Sequence, residues 1–238
     1  MKKRETIWVV LLLLGLLATV VIIYPWQQSS KSTVLEATAD TPPCWYQICP
    51  GQSTREEALA ALKAIPVVDA DSVADLQGDQ GSGNIFWWFK VQRSETSLNP
   101  VRVDYSGRCY YKDEIITHIE IYPGGLTMRE VVDKFGEPEL VAAVSGWADT
   151  RWLEIALLYP SRGIAFTYFD GYWQPSRYRA QVKPGYQVGD AIFFAPEMYD
   201  DLLLAQEVMR GVPYQDVVEA QQPWAGFGEI RFVDMSSR

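Results

Sequence analysis

Two stretches of this chain begin a helix in the same way, and that repetition limits what the chain can fold into. "PGQSTREEALAALKAIP" starts at Pro50 and "PGGLTMREVVDKFGEP" at Pro123, 73 residues apart. At that fixed offset Thr54 matches Thr127 and Glu57 matches Glu130, so each copy carries Thr-x-x-Glu. In such a capping box the Thr hydroxyl accepts from the backbone N–H three residues on, and the Glu carboxylate reaches back to the N–H of the cap. Ala58, Leu59 and Leu62 match Val131, Val132 and Phe135, which recur at helical spacing and give each helix one apolar face. Pro66 stops the first helix; Gly136 and Pro138 stop the second. A further step of the same length reaches Pro196 in "AIFFAPEMYDDLLLAQEVMRGVP", where Asp200 is expected as an N-cap and Gly211 as a stop. This third copy lacks the Pro-Gly and the capping Glu.

Between the helices the pattern changes to strands. "NIFWWFKVQ", "PVRVDYS", "EIITHIEIY", "RWLEIALLYP", "RGIAFTYFDG", "YRAQVKP" and "AIFFAP" are short, rich in β-branched and aromatic residues, and bounded by Gly, Pro, Asn and Asp. In "EIITHIEIY" strict alternation puts Ile115, Thr117, Ile119 and Ile121 on a packed face. Ile116, His118 and Glu120 then fall on a wetter one. Short turns between successive strands imply antiparallel pairing. The expected fold class is therefore α+β: tandem repeats of a short capped helix packed on an antiparallel β-sheet, preceded by one N-terminal transmembrane helix.

That last element comes from "MKKRETIWVVLLLLGLLATVVIIYPW", in which Lys2, Lys3 and Arg4 precede an uncharged apolar run from Ile7 to Tyr24. A run of roughly 18 to 20 residues crosses a hydrocarbon core about 30 Å thick. The basic cluster ahead of it predicts a cytoplasmic N-terminus and an extracytoplasmic remainder. The competing reading is a cleaved signal, with "ATA" at residues 37–39 as its cleavage site. Signal cores are usually only about 7 to 15 residues long, which favours an uncleaved anchor. The expected organisation is a cytoplasmic tail at 1–6, an anchor at 7–26, a Ser/Thr/Pro-rich tether at 27–43, repeats at 44–122 and 123–195, and a partial third at 196–238.

The net charge of −9, which grows more negative beyond the basic N-terminal cluster, argues against nucleic acid as a partner. Of the three cysteines, Cys44 and Cys49 flank "WYQI" and Cys109 stands alone. In an oxidising compartment Cys44–Cys49 is the first choice of disulfide and Cys49–Cys109 the second. Three free thiols remain an alternative. Three cysteines and a single histidine make no credible zinc site.

The run "GGLTMREVVDKFGEPELV", followed by "WLEIALLYPSRGIAFTYFDG", resembles the repeat of the small envelope lipoproteins of outer-membrane assembly and of the tandem β-lactamase-inhibitory proteins. The shared pattern is a Gly followed by Thr and a short amphipathic helix, then Gly-x-Pro, then two aromatic-rich strands. It covers about residues 120–170, and 46–66 more weakly. The resemblance implies a non-enzymatic protein that stabilises an assembly or clasps another protein with a concave sheet. The transmembrane anchor departs from the lipoproteins, and the third unit from both groups.

Chemistry-bearing motifs are scarce. His118 is the only histidine, sits mid-strand, and reads as an ordinary surface residue rather than part of a nucleophilic triad. "QGDQGSGN" lacks the Lys-Ser/Thr of a phosphate loop, and "DADSVAD" lacks the central Gly and terminal Glu of a calcium loop. Glu56-Glu57 and Asp200-Asp201 stand at helix starts, where the macrodipole favours negative charge. No cofactor and no catalytic residue is assigned.

What remains is aromatic. "FTYFDGYWQPSRYR" carries Tyr168, Tyr172, Trp173, Arg177 and Tyr178, residue types enriched at interfaces, and these five are the candidate partner-binding residues. An equal alternative is that Phe169 and Trp173 close the end of the core. "IFWWFK" reads as core on alternate sides, with Trp87 or Trp88 exposed. The expected function is a membrane-anchored, extracytoplasmic binding or scaffold module for another cell-envelope protein. The rival is a cell-wall or polysaccharide binder using exposed aromatics, and an envelope hydrolase stands last.

Overall fold

The structure, a computed structural model, describes residues 43–79, 81–90, 106–147, 150–171, 173, 179–209 and 211–237. The cytoplasmic tail, the anchor and the tether up to residue 42 lie outside the described residues. Among the described residues no helix is long and apolar enough to cross a membrane.

Helices α1 (Arg55–Ala64) and α2 (Met128–Phe135) start with the same reciprocal cap. The Glu57 N–H donates to Thr54 Oγ1 (3.2 Å) while the Thr54 N–H donates to Glu57 Oε2 (2.8 Å). The Glu130 N–H donates to Thr127 Oγ1 (3.3 Å), and the Thr127 N–H to Glu130 Oε2 (2.8 Å). Gly136 ends α2 at φ +78°, a left-handed conformation that costs glycine little.

Strands β1 (Ala74–Gln77), β2 (Ser82–Trp88), β3 (Ser106–Lys112) and β4 (Ile115–Ile121) follow α1. Strands β5 (Leu140–Trp147), β6 (Arg151–Tyr159), β7 (Ile164–Asp170), β8 (Arg179–Val182) and β9 (Ala191–Phe194) follow α2. The last segment holds α3 (Tyr199–Leu204), α4 (Tyr214–Ala220), β10 (Gln222–Pro223), β11 (Gly228–Arg231) and β12 (Val233–Asp234). The class is α+β, dominated by one ten-stranded sheet in the order β1-β2-β3-β4-β9-β7-β6-β5-β10, antiparallel along that path. β12 pairs parallel with β5, and β8 with β11 forms a separate two-stranded ribbon.

Each capped helix is tied by the same pattern of backbone bonds to a later segment of its half, the start of β4 in the first and the stretch leading into β9 in the second. In the first half the Ile116 N–H donates to the Ser53 carbonyl (2.9 Å) and the Arg55 N–H to the Glu114 carbonyl (2.7 Å). In the second the Val188 N–H donates to the Leu126 carbonyl (2.8 Å) and the Met128 N–H to the Tyr186 carbonyl (2.9 Å). Antiparallel bridges Thr54↔Ile115 and Thr127↔Gln187 complete the match.

Alternation along the strands feeds two cores. Val141, Ala143, Leu153, Ile155, Leu157 and Phe166 face Met128, Val131 and Phe135 of α2, and the same core continues through Ile85, Trp87 and Cys109 to Ala58 and Leu62 of α1. On the opposite face Ala142, Val144, Ala156, Leu158, Ala165, Ile192 and Phe194 pack on Leu202, Leu203, Val208, Met209, Val217 and Ala220 of the C-terminal helical segment. The second half of the sheet is thus covered on both faces.

Two expectations are corrected. The strict alternation of β4 is broken, because Tyr110 pairs with His118 while Tyr111 pairs with Ile116, leaving Thr117 as the extra residue of a bulge. Ile116 therefore shares the first core with Ile119 and Ile121, and His118 and Glu120 are buried, at 5% and 3% exposure, rather than wet. The C-terminal segment starts with a 3-10 turn at Pro196–Met198, and Met198 rather than Asp200 precedes α3, with no side-chain cap. α3 and α4 fold over the other face of the sheet, where their Leu and Val residues pack in the second core, while β10 and β12 of the same segment pair with β5. Of the two tryptophans in "IFWWFK", Trp87 is fully buried and Trp88 partly exposed.

Candidate functional site

An open groove of about 770 Å³ lies where the face covered by α3 and α4 continues onto the first half of the sheet. Ser82, Asn84, Tyr110, Lys112, Thr117 and His118 line its floor. Met198, Asp201, Leu202, Ala205 and Glu207 form one wall, and Leu76, Gln77 and Gly78 the far rim. Leu76 on the rim is 57% exposed and belongs to neither core, and no helix among the described residues packs on it.

The β4 bulge builds the floor beside α3. The Thr117 hydroxyl donates to the Tyr110 carbonyl (3.2 Å) and its oxygen lies 3.1 Å from His118 Nδ1. Because that hydroxyl hydrogen is directed at the carbonyl, Nδ1–H is the partner that donates back to Oγ1. The imidazole stacks on the Tyr110 ring (4.2 Å, 12°), and its Nε2 faces Glu207 Oε2 at 3.8 Å. Farther along the strands Arg108 donates to the Tyr110 hydroxyl (3.4 Å), which donates to Glu120 Oε2 (3.3 Å). Burial alone would lower the Arg108 pKa, but the Tyr110 bond and the charge of Glu120 outweigh it and hold the guanidinium above its ordinary value.

The sequence-predicted aromatic residues lie on the other side of the sheet, around the β8–β11 ribbon. Tyr168 stacks on Tyr186 (4.0 Å, 3°), and Lys183 Nζ sits 5.6 Å from the Tyr186 ring. Trp173 meets Phe232 edge to face (5.0 Å) with the Arg151 guanidinium 5.5 Å from its ring, and Arg129 lies 4.8 Å from the Phe227 ring. Burial first, and then Asp170 and Tyr186, push the Tyr168 pKa up to about 12. Both Tyr168 and Trp173 pack against the first core as partly buried residues. Tyr172, Arg177 and Tyr178 lie outside the described residues.

Cys44 and Cys49 are joined by a disulfide with Cα atoms 4.2 Å apart, and the loop it closes presents Trp45 to Trp87 (5.3 Å, stacked). Cys109 is a buried free thiol whose pKa burial pushes up. Among the described residues no group of three or more His, Cys, Asp or Glu is arranged to hold a metal ion.

Sequence reasoning missed the groove. Its residues come from five separate segments, and the one local signal is a lone Leu76 beside a polar turn. Chemically the groove offers apolar contact flanked by Lys112 and by Asp201 and Glu207, with the nearest rings already engaged: Tyr110 with His118, and Tyr111 through its hydroxyl bond to Asp75 (3.0 Å). Comparison with protein-family models, curated proteins and solved structures gives no match to this chain.

Proposed function

We propose that this protein is a membrane-tethered, extracytoplasmic, non-enzymatic module that binds or scaffolds another cell-envelope protein. The observation that carries this reading is the open, partly apolar groove on a sheet face whose other half the chain covers itself. Such a face, uncovered among the described residues, fits an interaction surface. The apolar run at residues 7–26 behind a basic cluster supports the tether, and the Cys44–Cys49 disulfide agrees with an oxidising compartment.

The two halves are, in this proposal, tandem copies of one helix-on-sheet unit, at 44–122 and 123–195. The matched capping boxes and the matched pattern of backbone bonds, from one cap to the start of β4 and from the other to the stretch leading into β9, support the duplication. So does the resemblance to the repeat of the envelope assembly lipoproteins and β-lactamase-inhibitory proteins.

A second reading, polysaccharide binding, is favoured by Trp147 and Phe169, which are 62% and 59% exposed near one end of the sheet. In-cell crosslinking of tagged full-length protein, with alkaline extraction of membranes beforehand, tests the first reading. The expected result is a protein that stays with the membrane and yields one reproducible envelope partner. A mature N-terminus at Asp40 would make it a secreted protein, and recovery of wall glycan in place of a protein would favour the second reading.

A further inference from the structure

The groove has the size and surroundings of a missing helix. From the β1 rim across the floor to β4 it spans four strands, and at about 4.8 Å per strand that is about 14 Å. A helix with its side chains is about 10–12 Å wide. One wall is already a helix, α3, so an occupant lying beside it would continue the layer that α3 and α4 form over the second half. The chain itself shows how this face is covered: by short helical turns that direct Leu, Val and Met at the strands. In the first half the apolar contacts on offer are Leu76 and, on the wall, Met198 and Ala205, since Leu202 is buried in the second core.

Charge narrows the occupant further. The wall carries the exposed Asp201 on α3, with Glu207 beyond that helix facing His118, and the whole chain has a net charge of −9. Among the described residues Lys112 is the one Lys or Arg of the lining, and it sits on the sheet side. A strand would add at a sheet edge through its backbone, whereas this groove lies on a face. A sugar would need a free aromatic platform, but Tyr110 is stacked on His118 and Tyr111 is bonded to Asp75.

We propose that the groove between α3 and β1–β4 docks one amphipathic helix of a partner protein, with its apolar stripe on Leu76 and Met198 and a basic flank toward Asp201. The inference rests on the binding-module reading and names the surface and partner class for it. Apolar anchors at helical spacing would seat the helix, and lysine or arginine beside them would set its direction against α3.

The test places the photocrosslinking residue p-benzoylphenylalanine at Leu76 of the full-length protein in its own cells, with the same residue at Trp147 as a control outside the groove. The crosslinked peptide is identified by mass spectrometry. The expected adduct at position 76 is a segment of another protein with apolar residues at i, i+3 or i+4 and i+7 and Lys or Arg alongside, absent from position 147. Asp201→Asn and Asp201→Lys should lower its yield in a graded way, by about threefold and about tenfold, with unchanged circular dichroism. An adduct to a second copy of this chain, to glycan, or to an acidic or extended segment overturns the inference. So does no adduct at position 76. If chemical crosslinking of the unmodified protein still recovers an envelope partner in that last case, the binding-module reading survives while the groove assignment falls.

Discussion

Trp87 lies over Gly107, its cross-strand partner, so closely that a Cβ built on the glycine would sit 2.0 Å from the indole Cζ2. The same indole stacks on Trp45 of the disulfide-closed loop, so Gly107 sets the depth at which that loop seats on the sheet. Gly107→Ala is expected to cost about 2–3 kcal/mol, since a fully buried indole between two aromatic-rich layers has nowhere to move. Urea denaturation with an unchanged slope and a lower midpoint would confirm it; a midpoint equal to wild type would show that the ring relocates freely.

The two capping boxes give a paired prediction. Thr54→Ala and Thr127→Ala each remove the acceptor of one first-turn N–H and are expected to cost about 1 kcal/mol. Because the two caps share no partner, the double variant should lose about 2 kcal/mol. Thermal denaturation of the three variants checks both the size and the additivity.

Acid should unfold this protein through a small set of carboxylates. The Arg55 hydrogen bond, with further help from Tyr111, holds Asp75 below its ordinary value of 3.8. The Thr54 backbone bond does the same for Glu57, whose ordinary value is 4.5. A carboxyl whose pKa is depressed in the folded state stabilises that state above its unfolded pKa, and the contribution is lost as pH falls through the folded one. Stability should therefore be level above about pH 5 and decline below about pH 4. In Asp75→Asn the plateau should be lower and the acid decline shallower, which denaturant midpoints measured from pH 7 down to pH 3 would reveal.

Thiol chemistry should report on folding. Cys109 is buried with its thiol pKa raised, and the other two cysteines are paired. A thiol-reactive chromogen is expected to find no reactive thiol in the native protein and one per chain in denaturant. Two further thiols should appear only after reduction. Cys44→Ser with Cys49→Ser should lower stability by about 2 kcal/mol, the loop-closure value for so short a loop.

Trp173 distinguishes packing from recognition in the aromatic segment. Its edge-to-face contact with Phe232 and the Arg151 guanidinium over its ring make Trp173→Ala a packing loss of about 2–3 kcal/mol, visible as a lower melting temperature with or without a partner. A variant as stable as wild type would count against that packing role.

Much of the secondary structure was legible because its causes are local. The Thr-x-x-Glu pairs start both helices where the spacing says they should, and the β-branched and aromatic runs that the structure describes became strands; "PVRVDYS" lies, but for Ser106, outside the described residues. The errors came where distant segments meet. Alternation in "EIITHIEIY" predicts a wet His118, yet one extra residue at Thr117 and the approach of Glu207 from 89 residues away bury it. "YRAQVKP" does form a strand, but its partner is β11 near the C-terminus rather than the main sheet.

The sequence by itself determined the two capped helices, the short strands around them and the α+β class, since capping, helical periodicity and β-propensity act within a few residues. Only the tertiary structure decided which faces are covered. The halves share their caps, yet the chain has one C-terminal helical segment to bury, and it covers the second half. That the first half's face is left open among the described residues depends on that choice, a competition for apolar surface between segments far apart in the chain, which no local pattern encodes.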